Sequence, residues 1–362
     1  MDTGEGIGGG IGFGEGTAVI DDGGYAAVTP WDEPQWRGEV RDWVAGALAR
    51  HGLRATGAVR GRARPWSVVL RISLRGGGAV WFKANPPGSA FESALASALH
   101  AWAPGDVLEP LAVDTDRAWT LTRDGGPLLA DVLDAGAGSE VWEEALGRYA
   151  ELQRTLVPYA SRLLDLGVPD FRPETLPDRL AALLDPGAVG VGALRPGERA
   201  ALRALLPHFR AWCLTLAAAG IPASLDHSDL HEASVLTSGD RHVFFDWGDA
   251  SLAHPFTTLL VVNGAVGRRY GEADAAAVRD RLRDAYLEPW TGDGHEPGRL
   301  RELAALACRV GVVGRADSWG RTFPGAGSGS DTAGSGENAA RWLRKLLAGT
   351  PLPAGGAGQA AE

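Results

Sequence analysis

Two short segments near the middle of the chain carry acidic side chains at a spacing that suits catalysis. The first begins at His227 and reads H-S-D-L-H-E-A-S-V-L, which places Asp229 two residues after the histidine. The second reads H-V-F-F-D-W-G-D and places Asp246 at the end of an apolar run. Carboxylate oxygens bind hard cations such as Mg²⁺, and a carboxylate can also orient a hydroxyl group for attack. The two acids therefore predict metal-assisted chemistry at a hydroxyl oxygen.

Phosphoryl transfer is a reaction that this spacing would serve. It needs in-line positioning of the reactants, charge neutralisation by Mg²⁺, and a carboxylate that orients the acceptor hydroxyl. Asp229 occupies the position of the orienting carboxylate, and Asp246 occupies the position of the metal ligand. A second metal ligand is expected five residues after the first acid, at Ser234.

The chain carries lysine at only two positions, Lys83 and Lys345, and uses arginine for its other cationic side chains. Lys83 interrupts an apolar strand, V-W-F-K-A, after a glycine turn, and a lysine so placed can bind nucleotide phosphates. Glu92, near the start of the next predicted helix, is the expected partner of its ammonium group. Two alternatives stay open. An edge-strand lysine can face solvent, and an acid in a first helical turn can serve the helix dipole.

The two acidic segments together resemble the aminoglycoside phosphotransferase family, whose usual form is H-G-D-L-H-x-x-N, then a hydrophobic strand and D-W. The resemblance covers roughly residues 55–320 and is strongest between residues 222 and 260. It implies a bilobal α+β, protein-kinase-like fold with a β-rich N-lobe and a mainly helical C-lobe. It also implies an enzyme that moves the γ-phosphate of ATP, with Mg²⁺, to a hydroxyl of a small molecule. In that family Asp229 would be the catalytic base or hydroxyl orienter, and Asp246 would chelate Mg²⁺.

One position departs from the family pattern, because the usual Asn falls at Ser234. A serine hydroxyl can bind Mg²⁺, but it is shorter than an amide and a poorer oxygen donor. Glu232 lies close enough in sequence to compensate, or it can simply be solvated. The departure raises an alternative, a kinase-like protein that binds a nucleotide without turning it over.

Further nucleotide contacts are predicted at a hairpin tip and at the joint between the lobes. The tip, V-R-G-R-A-R-P-W-S, has no strict Gly-x-Gly-x-x-Gly loop but offers Gly61 and, as a candidate phosphate contact, Ser67. Its arginines are interpreted as an exposed basic surface. At the joint, Thr122 and Arg123 are expected to face adenine through backbone groups, which any residue type provides. Asp249 is expected to support the loop after the second acid by hydrogen bonds.

The histidines around the first segment suggest a competing reading, a zinc-dependent hydrolase. His227 and His231 have the spacing H-x-x-x-H, and His242 and His254 could add ligands. Against this, His227 follows a strand rather than lying on a helix, and no H-E-x-x-H base is present. The family resemblance instead gives the histidines a role in shaping the loop through hydrogen bonds.

Composition excludes several other classes. The formal net charge is −10 and argues against nucleic-acid binding, which needs a basic surface. Two cysteines without a C-x-x-C pair argue against a disulfide scaffold and a cysteine zinc site. The sequence contains no run of about 18 apolar residues, so no membrane span is expected. The Gly-rich start does not resemble a signal peptide, so a cytoplasmic protein is expected.

Periodicity predicts the domain organisation. A helix opens at Asp32, an alternating strand covers Val68–Leu74, and the amphipathic stretch Glu198–Ala219 should kink or split at Pro207. Four regions are expected along the chain: a disordered Gly-rich segment at 1–24, an N-lobe with the nucleotide-binding β-sheet and helices at 25–122, a helical C-lobe with the catalytic loop at 123–348, and a flexible tail at 349–362. The Gly/Ser-rich stretch 324–336 is expected to form a mobile loop.

The acceptor is expected to be a hydroxylated small molecule, such as an aminoglycoside or another metabolite. Acids late in the C-lobe, Glu272, Asp274 and Asp284, could meet the ammonium groups of an aminosugar, although acidic helix faces are usually only solvated. The sequence leaves open the choice between ATP and GTP and the oligomeric state.

Overall fold

The computed structural model describes residues 18–22, 31, 33–322 and 335–348. These residues form two compact units. Unit 1 contains the described residues up to Pro104 together with Leu108–Gly125, and unit 2 contains Gly105–Val107 and the described residues from Gly126 onward. Unit 1 is rich in β-structure and unit 2 is mainly helical, as the sequence predicts.

Unit 1 is built on a six-stranded sheet whose strands lie in the order β1-β2-β3-β4-β6-β5. All neighbouring strands are antiparallel except β1 and β2, which are parallel. The elements of this unit in chain order are β1 (Ala18–Asp21), α1 (Pro34–Arg50), β2 (Ala55–Arg64), β3 (Ser67–Leu74), β4 (Ala79–Ala84), α2 (Phe91–Trp102), β5 (Pro110–Asp114) and β6 (Trp119–Arg123).

An aromatic cluster fixes which face of this sheet is the core. Trp36 and Trp43 of α1 meet Phe82 and Trp119 of the sheet edge-to-face, with ring centroids 5.7–6.3 Å apart. Successive side chains of a strand point to opposite faces. Because Phe82 points into this core, Lys83 must point to the opposite face of the sheet.

Unit 2 consists of helices around two small sheets. Its helices, in chain order within the described residues, are α3 (Leu129–Asp134), α4 (Glu140–Leu156), α5 (Ala160–Asp165), α6 (Leu176–Leu183), α7 (Pro196–Ala217), α8 (Leu259–Leu287), α9 (Pro297–Thr322) and α10 (Ser335–Leu347). The long helix α8 is interrupted at Gly271, whose φ of 71° lies outside the helical range.

The strands of unit 2 are short, and they frame the two acidic segments. One sheet is the antiparallel hairpin β9 (Val235–Ser238) with β10 (Arg241–Phe244). The other has the order β7-β11-β8. Its strands are β7 (Asp170–Phe171), β8 (Ser224–Asp226) and β11 (Ser251–Ala253).

The structure differs from the sequence predictions at two described places. Ala18–Asp21, within the segment predicted to be disordered, forms a strand because it finds the free edge of β2 at Val59–Arg62. Helix α7 is continuous through Pro207 rather than split there. Pro207 is exposed, so the carbonyl group that loses its helical partner can bind water.

Other predictions fall on positions outside the described residues. These are the cap at Asp32, most of the segment 1–24, nearly all of the loop 324–336 and the tail 349–362. Among the helices that the structure describes, none has the length and apolar character that a bilayer span requires.

Gly61 offers a test of how tightly β2 packs on β3. A Cβ atom at this position would lie 2.2 Å from the carbonyl oxygen of Val69 and 2.8 Å from a methyl carbon of Leu70. We expect Gly61→Ala to lower the free energy of unfolding by about 1–3 kcal/mol in urea denaturation, because backbone must move to admit the methyl group.

The matched control is Gly46→Ala in α1, where the nearest contact of the added methyl group is Arg50 Nη1 at 3.9 Å. This exposed helical position should lose nothing or gain about 0.5–1 kcal/mol, since alanine is the better helix former. Equal stabilities of the two variants would show that β2 has room to shift.

Candidate active site

Lys83 and Glu92 form an ion pair in unit 1. The ammonium nitrogen of Lys83 lies 2.8 Å from Oε1 and 2.6 Å from Oε2 of Glu92. Only 18% of the lysine side chain and 7% of the glutamate side chain are exposed. Charge-assisted hydrogen bonds of this kind hold a cation in one place. The pairing expected from the sequence is therefore present, on the face of β4 opposite the aromatic core.

Asn85 extends this polar face by two residues. It follows β4 directly and is 8% exposed. Because it comes two residues after Lys83, the alternation of a strand places it on the same face as Lys83. Neither the oxygen nor the nitrogen of its side-chain amide has a hydrogen-bond partner among the described residues. A buried polar group without a partner costs about 1–3 kcal/mol, so this amide has a reason to bind a ligand.

The other predicted nucleotide contacts of unit 1 occupy different settings. Ser67 is buried where β3 begins, opposite Arg64 in the β2–β3 register. Thr122 pairs on both sides, with Trp81 of β4 and Pro110 of β5, whereas Arg123 pairs only with Val80. Beyond Thr122 the backbone still pairs with β4, through Arg123 and through the amide of Asp124, which donates to the carbonyl of Ala79, but no longer with β5. The roles of the three residues stay predictions.

In unit 2, a hydrogen bond from His227 joins the two acidic segments. His227 is fully buried, and its Nε2 lies 2.8 Å from the carbonyl oxygen of Phe245, which can only accept. Burial lowers the pKa of His227, although Asp246 and Asp229 pull it in the opposite direction. The ring is thus a neutral imidazole with its proton on Nε2.

The β9–β10 hairpin makes the same connection through the backbone. Val235 at the start of β9 lies opposite Phe244 at the end of β10. The amide of Phe245 also donates to the carbonyl of Ser234, at 3.3 Å. The end of the loop bearing Asp229 and the start of the turn bearing Asp246 are consequently neighbours in the fold.

The backbone of both segments is strained. Ser228 has a φ of 61° and Asp246 a φ of 69°, which are left-handed values that L-residues other than glycine rarely adopt. Such residues cost about 1–3 kcal/mol each and persist only where the surroundings enforce them. Asp226 supplies part of that enforcement, because its buried carboxylate accepts from Ser228 N at 3.1 Å and from Thr257 Oγ1 at 2.7 Å.

Arg315 of α9 bridges two of the acids. Its Nη2 lies 3.1 Å from Asp229 Oδ1, and its Nη1 lies 3.2 Å from Asp249 Oδ2. Burial alone would raise the pKa of Asp249, but Arg315 and Arg321 outweigh burial and hold this pKa below its usual range. The guanidinium is itself only 9% exposed, so the three charges depend on one another.

The remaining carboxylate oxygen of Asp229 has a more distant neighbour. Its Oδ2 lies 3.9 Å from His231 Nε2, which is too far for a hydrogen bond, and 40% of the side chain is exposed. Arg315 therefore fixes one oxygen of Asp229, while the other is placed to accept a hydrogen bond from a ligand.

Ser234 is bound to its own loop. Its Oγ accepts from His231 N at 3.0 Å and donates to His231 O at 2.9 Å. The hydroxyl thus closes the turn, and its role as a metal ligand stays a prediction. Glu232 faces Arg269 instead, with 3.5 Å between its Oε1 and the arginine Nε, so it is engaged away from a compensating role.

The histidines of the zinc alternative bind separate partners. His231 Nδ1 accepts from Ala233 N, His242 Nδ1 meets Thr237 Oγ1, and His254 Nδ1 accepts from Phe256 N. Within the ranges that the structure describes, no three His, Cys, Asp or Glu side chains converge as metal ligands. These contacts support the loop-shaping role and not a zinc site.

Known proteins resemble this chain in their structures rather than in their sequences. No protein-family model matches the chain, and no curated protein matches its sequence. Solved structures do match. A macrolide 2′-phosphotransferase of Brachybacterium faecium has a TM-score of 0.52 at 19% identity, over 83% of this chain and 98% of its own. An ethanolamine kinase of Plasmodium vivax has a TM-score of 0.55 at 13% identity, over 82% of each chain.

A third structure, an amicoumacin kinase in complex with AMP-PNP and Ca²⁺, has a TM-score of 0.55 at 12% identity, over 89% of this chain and 96% of its own. The chain has a kinase-like fold. The predicted bilobal α+β class is confirmed, and the resemblance to the aminoglycoside phosphotransferase family is supported at the level of the fold. A fold hosts many activities, so the chemistry must follow from the side chains.

Two residues of this kinase-like protein escaped the sequence reasoning. Arg315 lies 86 positions after Asp229, among many other arginines, and nothing local marks it. Asn85 carried one usable signal. An amide two residues after the strand lysine falls on the same face as that lysine by the two-residue period of a strand.

A double-mutant cycle tests whether Arg315 and Asp249 act as a unit. We expect Arg315→Met to cost about 3 kcal/mol of unfolding free energy, because it leaves neighbouring carboxylates without their cation. Adding Asp249→Asn should return part of that loss, with a coupling above about 1 kcal/mol in urea denaturation.

The control cycle uses Arg309→Met on the same helix, where the guanidinium lies over the Trp212 ring at 3.8 Å. Arg309→Met and Asp249→Asn should add to within about 0.5 kcal/mol. Additivity in the Arg315 cycle as well would mean that the bridge contributes nothing.

Proposed function

We propose that this protein is a phosphotransferase that moves the γ-phosphate of ATP, with Mg²⁺, to a hydroxyl group of a small molecule. The observation that carries the proposal is the pairing of two constellations on a kinase-like fold. One is the Lys83–Glu92 ion pair at 2.6 Å. The other is the strained, cross-linked pair of segments that present Asp229 and Asp246.

The residues of unit 1 fit a nucleotide. Lys83 is held in place by Glu92 and can pair with phosphate oxygens. The buried amide of Asn85 supplies both a donor and an acceptor that a ligand would satisfy. Arg123 and the residues after it have backbone groups for the adenine ring. Ser67 stays a candidate phosphate contact.

The residues of unit 2 fit a magnesium ion bound with a nucleotide. Mg²⁺ in such sites takes one or two carboxylates, with phosphate oxygens and water completing its coordination. Asp246 is exposed at the end of the hairpin and offers such a carboxylate, and Ser234 can add a hydroxyl oxygen. When bound, the ion neutralises charge on the phosphate oxygens. A magnesium site of this kind does not require three protein carboxylates.

Asp229 has the geometry of the group that orients the acceptor. Arg315 fixes its Oδ1, and its Oδ2 can accept a hydrogen bond from the acceptor hydroxyl. This contact would align the hydroxyl oxygen with the γ-phosphate. The Asp229 carboxylate would take up the hydroxyl proton as the phosphoryl group is transferred. His227 has a separate task, which is to hold the Asp229 loop against the Asp246 turn.

The structural neighbours favour a small-molecule acceptor over a protein. Their names describe kinases of a macrolide, of ethanolamine and of amicoumacin, and one was solved with AMP-PNP. These acceptors differ in size and charge. They support the class of reaction but do not select among acceptors for this chain.

Thermal unfolding with Mg²⁺ and AMP-PNP tests the proposal first. A ligand at 100 times its Kd stabilises a protein by about 2.7 kcal/mol, so the unfolding midpoint should rise. Lys83→Met should remove most of this rise. Arg75→Met, an exposed cation beside the β3–β4 turn in the same unit, should retain it. A metal-dependent hydrolase would show no rise in any of the proteins.

Turnover then separates an enzyme from a nucleotide-binding protein without activity. ADP release is measured with ATP, Mg²⁺ and a panel of cationic, neutral and anionic hydroxylated compounds. Asp229→Asn should lower the rate by several orders of magnitude and keep the AMP-PNP-induced rise in midpoint. Undiminished turnover in Asp229→Asn would remove this residue from the reaction, and a midpoint rise without turnover for any compound would favour the inactive alternative.

A further inference from the structure

Lys345, the second of the two lysines in the chain, lies beside the candidate active site. Its ammonium nitrogen is 3.6 Å from the centroid of the Trp342 ring on α10. The same ring has the guanidinium of Arg315 at 5.7 Å. Arg315 in turn contacts Asp229 at 3.1 Å. One indole therefore separates Lys345 from the cation that fixes the proposed hydroxyl-orienting carboxylate.

The cationic side chains of α10 differ in whether they have an acidic partner. Arg344 pairs with Glu337 at 2.6 Å and with Glu198 at 3.3 Å. Arg341 and Lys345, one helical turn apart on the neighbouring face, have no ion pair among the described residues. Like charges at this spacing are destabilising by about 0.2–0.5 kcal/mol. Acids therefore neutralise Arg344, whereas Arg341 and Lys345 lie one helical turn apart without an acidic partner among the described residues.

Arg268 of α8 adds to this local excess. Burial lowers the pKa of Lys345, and the charges of Arg315, Arg341 and Arg268 lower it further, with no acid among the described residues acting against them. Arg268 is exposed and has no ion pair within the part of the chain that the structure describes. Lys345 on its aromatic ring, with Arg341 and Arg268 nearby, makes a positive site among the described residues of a chain whose net charge is −10.

Three acids that could bind a cationic acceptor pair with arginines of the same unit instead. Asp284 pairs with Arg301 at 2.9 Å and with Arg283 at 2.9 Å. Asp249 is held by Arg315, and Glu232 faces Arg269 at 3.5 Å. The expectation from sequence that late acids meet an aminosugar therefore lacks support at Asp284, stays a prediction at the exposed Asp274, and falls at Glu272 on a side chain outside the described residues.

We propose that Lys345 on the Trp342 ring, together with Arg341 one helical turn before it and Arg268 of α8, binds an anionic group of the acceptor whose hydroxyl Asp229 orients. The group is a carboxylate or a phosphate, since both pair with ammonium and guanidinium cations. The proposal rests on the phosphotransferase function proposed above. It makes the acceptor a hydroxy acid or a phosphorylated alcohol and excludes a polycationic aminoglycoside.

The scarcity of lysine allows a direct test by site-resolved labelling. An aldehyde condenses with a lysine amine to form an imine and water, and borohydride reduces the imine to a stable secondary amine. Pyridoxal 5′-phosphate and pyridoxal carry the same aldehyde, and only the first carries a phosphate group. Because the free 5′-hydroxyl of pyridoxal closes on its aldehyde as a hemiacetal, every labelling ratio is divided by the ratio that the two reagents give with free N-acetyl-lysine. Peptide mass spectrometry reads Lys345 separately from Lys83. Mg²⁺ with AMP-PNP occupies the nucleotide site in every comparison at Lys345, and a parallel reaction without them measures the protection of Lys83.

We expect pyridoxal 5′-phosphate to label Lys345 about tenfold more efficiently than pyridoxal, at the low end of the enrichment that charged clefts give their counter-ions. A lowered lysine pKa speeds both reagents alike, so the ratio isolates the attraction of the phosphate. Arg268→Gln with Arg341→Gln should bring the ratio close to one. Arg299→Gln, an exposed cation near the start of α9 that pairs with Glu302, should leave it unchanged.

Competition at fixed ionic strength identifies the anion. Protection of Lys345 by inorganic phosphate supports a phosphorylated acceptor, and stronger protection by acetate supports a carboxylate. Equal labelling by the two reagents, or a ratio that survives the double substitution, would overturn the proposed subsite. Lys83 reports on the nucleotide independently. Failure of Mg²⁺ and AMP-PNP to protect Lys83 would count against the phosphotransferase function, whatever the result at Lys345.

Discussion

The hydrogen bond from His227 Nε2 to the carbonyl of Phe245 is the constraint on which the candidate active site depends. It is made by a fully buried ring, so water cannot replace it, and burial keeps the ring neutral. Together with the β9–β10 pairing, it prevents the Asp229 loop and the Asp246 turn from relaxing apart. The left-handed backbone at Ser228 and Asp246 can persist only because these contacts hold both ends.

The sequence predicts the parts of this arrangement that depend on local spacing. The apolar run around Lys83 predicts its place on a strand, and the first turn of the next helix supplies Glu92. Both follow from the two-residue period of strands and the short connection between the elements. The spacing of Asp229, Ser234 and Asp246 likewise predicts a candidate catalytic segment and, through family resemblance, the kinase-like fold.

What the sequence could not predict depends on contacts between distant residues. Arg315 reaches Asp229 and Asp249 only because α9 packs beside the loop, and no period in the sequence encodes that packing. Ala18–Asp21 form a strand because an edge of the sheet is open to them. Pro207 does not split α7, because its exposed position lets solvent replace the missing helical bond. Each of these outcomes is decided by tertiary surroundings that override local propensity.

Charge shows the same contrast between composition and position. A net charge of −10 invites the expectation of a cationic acceptor, yet the acids of unit 2 are largely consumed by neighbouring arginines. Arg268 of α8 and Arg341 and Lys345 of α10 are cations without an acidic partner among the described residues, and Trp342 links Lys345 to the arginine that contacts Asp229. Overall charge governs solubility and long-range attraction, whereas the side chains that remain unpaired near a site govern what binds there.

A crystal structure with AMP-PNP and Mg²⁺ tests the central claim most directly. The account predicts that Asp246 ligates Mg²⁺ at about 2.0–2.1 Å and that Lys83, still paired with Glu92, lies within hydrogen-bond distance of a phosphate oxygen. Asp229 should face the γ-phosphate without touching the metal. A nucleotide bound away from Lys83, or a metal ion bound without Asp246, would contradict the assignment of both constellations to one phosphoryl transfer.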